Sequence, residues 1–576
     1  MLCNGNVKFG EQNTLMEYFS QLRCNSAQLF GSSPYLLCGF FVGFFPLFCP
    51  AFASDAPDSR SVEAPVTAAA SSDASEEARF AIYEYVLDGA SLLPEVVLEQ
   101  AVKAFMGEQR TIADVDKARA SLEKAYHDAG FMTVLVTIPE QRVDEGSVTL
   151  TVTEAPLRKL AVKGAEYTLP SAVMARVPEL VEGKVPNFNK LQDQLTRLNE
   201  SGNLRVVPVL RAGTLPGTVD VQLDVEDRNP VTWSIELNNR QFANTTPFRL
   251  AGTIRYDNLW QLGHSFTLST QLAPQRIEDA RVLSGTYVFP YDSVGNTATI
   301  YLVASRSQFA TLSGAPGLGL IGNSDTLGVR FNTKLDSGAG YRYVASYGAD
   351  YKDLRQTLLA NANGQTLSET PVRYVPLVGN LNAGFFGETS RLSLDATATL
   401  GLRGMLSDDD AAFNARRGGT SASFMSLRSN LNYLQTVGRW AAVSRVTAQM
   451  AAQPLLPSEQ LIAGGADTVR GYLEGERAGD YGFSATLELR SPSQSWRKGQ
   501  PDWFVDGKAF IDVAKVAAMR TSTPGVSYSL ASAGAGLRWN GPAGVTLNAE
   551  VAHAFVDGSM TSKGDNRVHF SLIGAF

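Results

Sequence analysis

From residue 231 to residue 576, apolar and polar positions alternate with a period of two, in runs separated by turn-rich stretches. That rhythm marks strands with one face toward an apolar medium and the other toward a polar one. Sixteen runs result: 231–239, 248–257, 264–273, 281–290, 297–307, 325–334, 341–351, 372–383, 390–402, 424–434, 440–451, 483–491, 503–512, 530–540, 544–555 and 568–576. In one of them Leu392, Leu394, Ala396, Ala398 and Leu400 oppose Ser393, Asp395, Thr397 and Thr399. An even number of such strands, joined by alternately short and long connections, is expected of a 16-stranded transmembrane β-barrel. Closure pairs every backbone donor and acceptor where lipid offers none, and charges such as Asp395 then face a wet lumen. A soluble β-sandwich is the competing architecture.

Between residues 79 and 228 the period changes to a mixture of strand and helix. Tyr83, Tyr85 and Leu87 alternate; Pro94 opens a helix with Val97, Ala101, Ala104 and Phe105 on one side. Thr111 with Asp114 forms a capping box for a second helix through Val115, Ala118, Leu122 and Ala125, which Gly130 ends. Two strands follow, one with Val134, Val136 and Ile138, the other with Val148, Leu150 and Val152. The order strand, helix, helix, strand, strand then recurs. Leu160 and Val162 start it, Pro170 opens a helix, and Asn187 or Asn189 caps another carrying Leu191, Leu195 and Leu198, which Gly202 stops. Val206, Val207 and Val209, then Val219, Val221, Leu223 and Val225, close it. Gly202 lies 72 positions after Gly130 (202 − 130) and Val221 lies 73 after Val148 (221 − 148), the spacing of a tandem repeat of a small α+β module. The exposed sheet edge of such a module can accept an extended peptide through main-chain hydrogen bonds; the plainer alternative is a pair of spacer domains.

One stretch breaks the alternation. Residues 461–483, LIAGGADTVRGYLEGERAGDYGF, are too rich in glycine and charge for a strand and read as a long loop between the eleventh and twelfth runs. Loops of that length are functional or disordered. Val469-Arg470-Gly471-Tyr472 suits an ordered tip: a permanent cation, a glycine free to take positive φ, and an aromatic to pack beside them.

Composition adds a destination. Residues 36–52 form an apolar stretch after Arg23 and before Ala51-Phe52-Ala53, so residues 1–53 read as a secretory signal, with Met1 or Met16 as the start. A lipoprotein signal on Cys38 or Cys49 is disfavoured by the bulky Leu37 and Phe48 before them. Residues 54–78, rich in Ala, Ser, Pro and Asp, read as a flexible linker. All four cysteines (Cys3, Cys24, Cys38 and Cys49) precede Ser54, so the exported chain is thiol-free, as suits an oxidising compartment. The net charge is −7, and removing residues 1–53 takes away Lys8 and Arg23 against Glu11 and Glu17, leaving −7. A mildly acidic chain is a poor candidate for nucleic-acid binding.

Catalytic and cofactor chemistry is not indicated. No Walker loop is present, no Gly-x-Gly-x-x-Gly follows a strand in a βαβ unit, and Gly-x-Ser-x-Gly is absent. The histidines His127, His264, His553 and His569 have no metal-ligand spacing. Asp408-Asp409-Asp410 reads as a solvated loop between the ninth and tenth strands. The expectation is a non-enzyme with no catalytic residue, metal or cofactor.

Two modules, a barrel and the Val-Arg-Gly-Tyr loop together resemble the two-partner secretion transporters, the ShlB/FhaC/HecB haemolysin secretion/activation family of the BamA-like superfamily, over about residues 79–576. The resemblance implies two periplasmic POTRA domains, at 79–155 and 156–228, and an outer-membrane barrel at 229–576 whose long loop, 452–482, folds into the lumen. It implies that the loop-tip arginine, Arg470, pairs with the aspartate of a Phe-x-Asp-x-Gly motif, here Phe510-Ile511-Asp512-Val513-Ala514, in which Ala514 replaces the glycine. The final strand, with Phe570, Leu572, Gly574 and Phe576 on one face, resembles the barrel-recognition signal of outer-membrane proteins. A plugging helix found before the first module in some relatives has no counterpart in residues 54–77, which contain Pro57 and Pro65 and lack an amphipathic stripe.

The function implied is translocation of an unfolded partner exoprotein of haemolysin or adhesin type. It would dock on the POTRA domains in the periplasm of a Gram-negative bacterium and pass through the barrel without a nucleotide. The implied partners are that exoprotein, outer-membrane lipid and, during biogenesis, the barrel-assembly machinery. A BamA-like assembly factor and a passive porin are the alternatives. The first usually has more than two modules, and the second has no use for any.

Overall fold

The computed structural model describes residues 79–143, 146–199, 202–292, 294–309, 318–360, 365–500, 502–519 and 526–576. The secretory signal, the linker, both candidate starts and the four cysteines lie outside the described residues.

The first module opens with strands Phe80–Ile82 and Glu84–Asp88, followed by helices Glu95–Lys103 and Ile112–Asp128 and strands Leu135–Thr137 and Ser147–Thr153. Strand Ser147–Thr153 is central, parallel to Glu84–Asp88 and antiparallel to Leu135–Thr137. The expected capping box forms, with the Asp114 carboxylate accepting from the Thr111 backbone N–H at 3.2 Å. The first helix differs from expectation. Leu98 and Val102 are its buried residues, Ala101 and Phe105 pack only at the core's margin, and Val97 is exposed. The helix ends at Lys103, so Ala104 falls at its C-cap and points outward. A polar strand, Gly107–Arg110, pairs with Phe80–Ile82; without an apolar face it left no alternating pattern to read.

The second module repeats this plan with strand Leu157–Lys163, helices Pro170–Ala175 and Phe188–Asn199, and strands Leu204–Ala212 and Val219–Asp227. Its central strand, Val219–Asp227, is again parallel to the opening strand, Leu157–Lys163, and antiparallel to Leu204–Ala212. Asn187, rather than Asn189, caps the longer helix, accepting from the Lys190 N–H at 3.2 Å. The repeat extends to single contacts. Gly89 and Gly164 both have φ +86°, and a Cβ on either would lie 2.4 Å from a carbonyl oxygen, of Val152 and Val225 respectively. Those carbonyls are 73 positions apart (225 − 152), as are the carboxylates that close each module, Glu154 and Asp227 (227 − 154). Glu154 accepts from the Ser91 and Leu92 N–H groups at 2.7 and 2.9 Å and from the Tyr126 hydroxyl at 3.1 Å. Asp227 accepts from the N–H groups of Glu166, Tyr167 and Thr168 at 2.9, 2.9 and 2.6 Å. Burial pushes each carboxylate upward, but these donors outweigh it and hold both below their ordinary values.

From Val231 onward sixteen antiparallel strands close into a barrel. They begin Val231–Asn238, Arg249–Leu259, His264–Leu272 and Arg281–Pro290, and continue Thr297–Phe309, Leu318–Gly338, Tyr341–Ala360 and Leu377–Phe386. The second half is Ser390–Gly401, Phe424–Val437, Trp440–Ala451, Tyr481–Arg490, Phe504–Ala518, Val526–Asn540, Val545–Ala554 and Asn566–Ala575. Several strands run further than the apolar pattern does, because hairpin pairing continues beyond the lipid-facing band. The last strand closes on the first from Ser571↔Asn238 to Ala575↔Ser234. Beyond it, Phe576 and Trp233 exchange backbone hydrogen bonds at 2.9 and 3.0 Å and stack at 4.3 Å between ring centroids. Phe570, Leu572 and Gly574 lie on the face of that strand opposite to His569, which is buried inside. Asp395 does face the lumen, accepting from Asn380 at 2.8 Å. Among the described residues no helix is long and apolar enough to cross a membrane, so the strands make the span.

The second module rests on the barrel turn that follows strand Arg249–Leu259. Arg176 donates to the Asn258 side chain at 2.7 Å and to the Gln261 carbonyl at 2.8 Å. That turn marks the module-side end of the barrel.

Candidate functional site: the folded loop and its anchors

The connection between strands eleven and twelve, residues 452–480, leaves the end of the barrel far from the modules and turns back inside. It carries short strands that its composition did not suggest: Leu461–Ala463 and Arg477–Gly479 pair as a small antiparallel hairpin. Its apolar residues Leu461, Ala463, Val469 and Tyr472 pack with Ala514, Val516, Leu530 and Ala554 of the wall. Inside a polar lumen this patch gives the loop a side to lie down on. Ala514, the departure from the motif glycine, puts its methyl group into this cluster.

At the tip, Arg470 is 2% exposed, and the carboxylates facing it, Asp512 and Glu488, are 0% and 1% exposed. Its Nε and Nη2 donate to the two oxygens of Asp512 at 2.9 and 2.8 Å, a bidentate fork. Its Nη1 donates to Glu488 at 2.8 Å, and its backbone N–H reaches Asp512 at 3.1 Å. The guanidinium lies 3.2 Å from the centroid of the Phe510 ring, a cation–π contact in a dry setting. Thr486 donates to Asp512 at 3.0 Å, and Arg490 donates to Glu488 at 2.7 Å. Glu550, 3.6 Å from Arg470, pairs with Lys508. Every carboxylate that Arg470 faces thus has a further donor or cation, which lets so many charges share a small space.

The neighbours of Arg470 are fixed as firmly. The Gly471 N–H donates to Ser532 Oγ at 3.1 Å. Positive φ is not what glycine supplies here, since Gly471 is absent from the left-handed positions. It supplies closeness: a Cβ would lie 2.8 Å from Ser532 Cβ and 3.3 Å from Ala554 Cα. The Tyr472 hydroxyl sits 2.7 Å from the Val556 carbonyl and 3.1 Å from that of Ala531. His569 Nε2 lies 2.7 Å from the Arg470 carbonyl, so the last strand also touches the tip.

The sequence reading placed Arg470 and Asp512, and the structure brings them together. It did not find the anchors at the loop's base. Asp480, wholly buried, receives a bidentate Arg417 at 2.5 and 2.8 Å and the N–H groups of Leu455 and Met519 at 2.9 and 2.7 Å. Glu476 accepts from the N–H groups of Ser559, Met560 and Thr561 at 2.6, 2.6 and 3.0 Å. The only sequence signal for Glu488 was a charge at a lumen-facing position between Leu487 and Leu489. Asp408-Asp409-Asp410 lies in the connection between strands nine and ten, where Asp409 is exposed and Asp408 and Asp410 are half-buried beside Arg373 and Arg403, but these residues also order that connection. Asp409 caps helix Asp410–Arg416, accepting from Ala412 N–H at 3.0 Å; Asp408 and Asp410 accept from Arg373 and Ala422 N–H at 2.8 and 2.9 Å. That helix sends Arg417 to Asp480. Among the described residues no cluster of His, Cys, Asp or Glu could hold a metal ion.

The arrangement is mechanical: a loop pinned across the lumen by a buried charge network at its tip and by Asp480 and Glu476 at its base. Residues 217–539 match the family described as haemolysin secretion/activation protein ShlB/FhaC/HecB, and residues 80–155 match the ShlB-type POTRA domain. Outer membrane transporter CdiB of Escherichia coli is 24% identical over 179 residues, 31% of this chain and 30% of that one. The matched stretches cover 30% and 32% of the lengths of two Escherichia coli relatives. CdiB of Dickeya dadantii is 22% identical over 446 residues, 73% of each chain. Among solved structures, CdiB from Escherichia coli superposes with a TM-score of 0.63 at 19% identity, covering 88% of this chain and 93% of that one. BamA from Haemophilus ducreyi lacking POTRA domains 1–3 gives 0.51 at 16% identity, covering 87% and 100%. These likenesses establish the fold.

Proposed function

The chain belongs to the haemolysin secretion/activation family ShlB/FhaC/HecB, and on that premise we propose that it binds an unfolded partner exoprotein in the periplasm through its two modules and passes it through the barrel. Its barrel lies in the outer membrane, with the modules in the periplasm. In this reading residues 1–53 direct export and residues 54–78 link the signal to the first module. The observation that carries the proposal is the loop tip: Arg470, 2% exposed, is bound by Asp512 and Glu488 inside a barrel that also bears modules. A lumen crossed by a pinned loop suits a pore that must be braced or opened for a polymer, and a passive solute pore has no use for the modules. Direction comes from the cargo folding outside the cell, so no nucleotide is required.

The test is secretion of the large exoprotein encoded beside this chain, in cells carrying wild type, Arg470→Ala, Asp512→Ala or a deletion of residues 79–227. Heat-modifiable mobility reports whether each barrel has folded. Loss of secretion by folded variants supports the proposal. Undiminished secretion by the deletion removes the modules from the mechanism, and undiminished secretion by all three variants assigns the barrel another task.

A further inference from the structure

The periplasmic turns of the barrel are mostly tight, with only residues 438–439 between strands ten and eleven. The turn between strands twelve and thirteen, residues 491–503, is long. Gln494–Ser495 pairs with Phe504 and Val505, extending the wall beyond its rim. Trp496 donates its backbone N–H to the Trp503 carbonyl at 3.2 Å and its indole N–H to the Asn540 carbonyl at 3.1 Å. Its ring is stacked between two others, 5.0 Å from Trp503 and 5.8 Å from Trp539. Half of the chain's six tryptophans therefore meet at one spot.

The spot faces lipid. Trp539 shares its strand face with Leu537, which is 59% exposed on the outside of the barrel, and lies two residues nearer the periplasmic rim. Tryptophan at that depth is amphipathic material for the headgroup layer. Charge completes the surface. Arg497 lies over the Trp503 ring, 4.7 Å from its centroid, and Lys498 follows it; both are exposed. The turn carries one opposing carboxylate, Asp502. A guanidinium held on a ring face keeps its N–H donors free for a phosphate oxygen. In a chain of net charge −7 this is a local cationic site on an aromatic platform.

We propose that the Trp496-Trp503-Trp539 stack with Arg497 and Lys498 is a docking site for the headgroup of an anionic phospholipid in the periplasmic leaflet of the outer membrane. The acyl chains lie along the Leu537 face, the rings hold the glycerol region, and the two cations take the phosphate.

The test uses the purified full chain in detergent, supplied with equal phosphatidylglycerol and phosphatidylcholine, with retained lipid counted by native mass spectrometry. Each basic residue near a charged lipid surface contributes about five-fold, so wild type should retain phosphatidylglycerol over phosphatidylcholine by roughly twenty-five-fold. The double variant Arg497→Glu with Lys498→Glu, which replaces two attracting charges with two repelling ones, should bring the ratio to one or below, and Trp496→Ala should lower retention of both lipids. Free glycerol phosphate at the same concentration should displace neither. The proposal is overturned if the folded double variant, checked by heat-modifiable mobility, retains phosphatidylglycerol as wild type does, or if glycerol phosphate displaces the lipid. A double variant that loses exoprotein binding while its lipid ratio is unchanged also overturns it, and gives the turn to the cargo.

Discussion

Replacing Arg470 by Ala should release the loop from the wall, and the size of the effect follows from what is left behind. Asp512 loses its only cation among the described residues and keeps the Thr486 hydroxyl and the backbone N–H of position 470. Glu488 keeps Arg490 at 2.7 Å. The cost is therefore chiefly that of one uncompensated buried carboxylate, about 3–5 kcal/mol, which shifts the docked-to-undocked ratio by roughly 100-fold to several thousand-fold. Arg470→Lys keeps a charge but loses the fork, and should fall between wild type and Arg470→Ala. No cysteine follows Cys49, so in a chain that starts at Ser54 one introduced thiol reports cleanly. Ala463, in the loop hairpin, is 0% exposed. In Ala463→Cys protein, maleimide labelling from solution requires the loop to lift. Its rate should rise about 100-fold or more when Arg470→Ala is added, and less with Arg470→Lys. Equal rates in all three backgrounds would refute the argument that this charge network holds the loop.

Gly471→Ala should cost about 1–3 kcal/mol by overpacking against Ser532, raising the same labelling rate without removing any charge. Asp480→Ala leaves the Arg417 guanidinium and the Leu455 and Met519 N–H groups without their acceptor; a loss of about 3 kcal/mol should lower the temperature at which the barrel loses its heat-modifiable mobility. Acid should loosen the modules through Glu154 and Asp227. Their folded-state values are lowered, so the stability they contribute is full above the ordinary 4.5 and 3.8 and is lost as pH falls through the lowered values. Glu154→Gln should remove this dependence from the first module and leave it in the second, as read by amide exchange resolved along the chain.

The barrel was legible because lipid on one side and water on the other impose a period of two that no other architecture sustains for so long. The strand pairs that overran the prediction lie where that contrast ends. The modules were legible through their repeat, yet Gly107–Arg110 was invisible, since a polar edge strand is defined by its partner Phe80–Ile82 and not by its own pattern. The same division runs through the loop. Arg470 and Asp512 came from a motif, and Gly471 was singled out for a φ it does not use. Glu488, Glu476, Asp480 and Arg417 are ordinary charges in sequence: Glu488 lies 18 residues from Arg470, Asp480 63 from Arg417, and Glu476 83 to 85 from Ser559, Met560 and Thr561. Only the closed barrel, which brings strands twelve to sixteen around one loop, makes them a site.

The most direct test of the translocator is a reconstituted one. The purified chain is inserted into vesicles, and the denatured exoprotein is offered on the module side with no nucleotide present. Fragments that become protected from protease on the far side are then measured with and without residues 79–227. The account predicts protection without ATP, lost on deletion of the modules. No protected fragment, or protection that needs ATP, would contradict it.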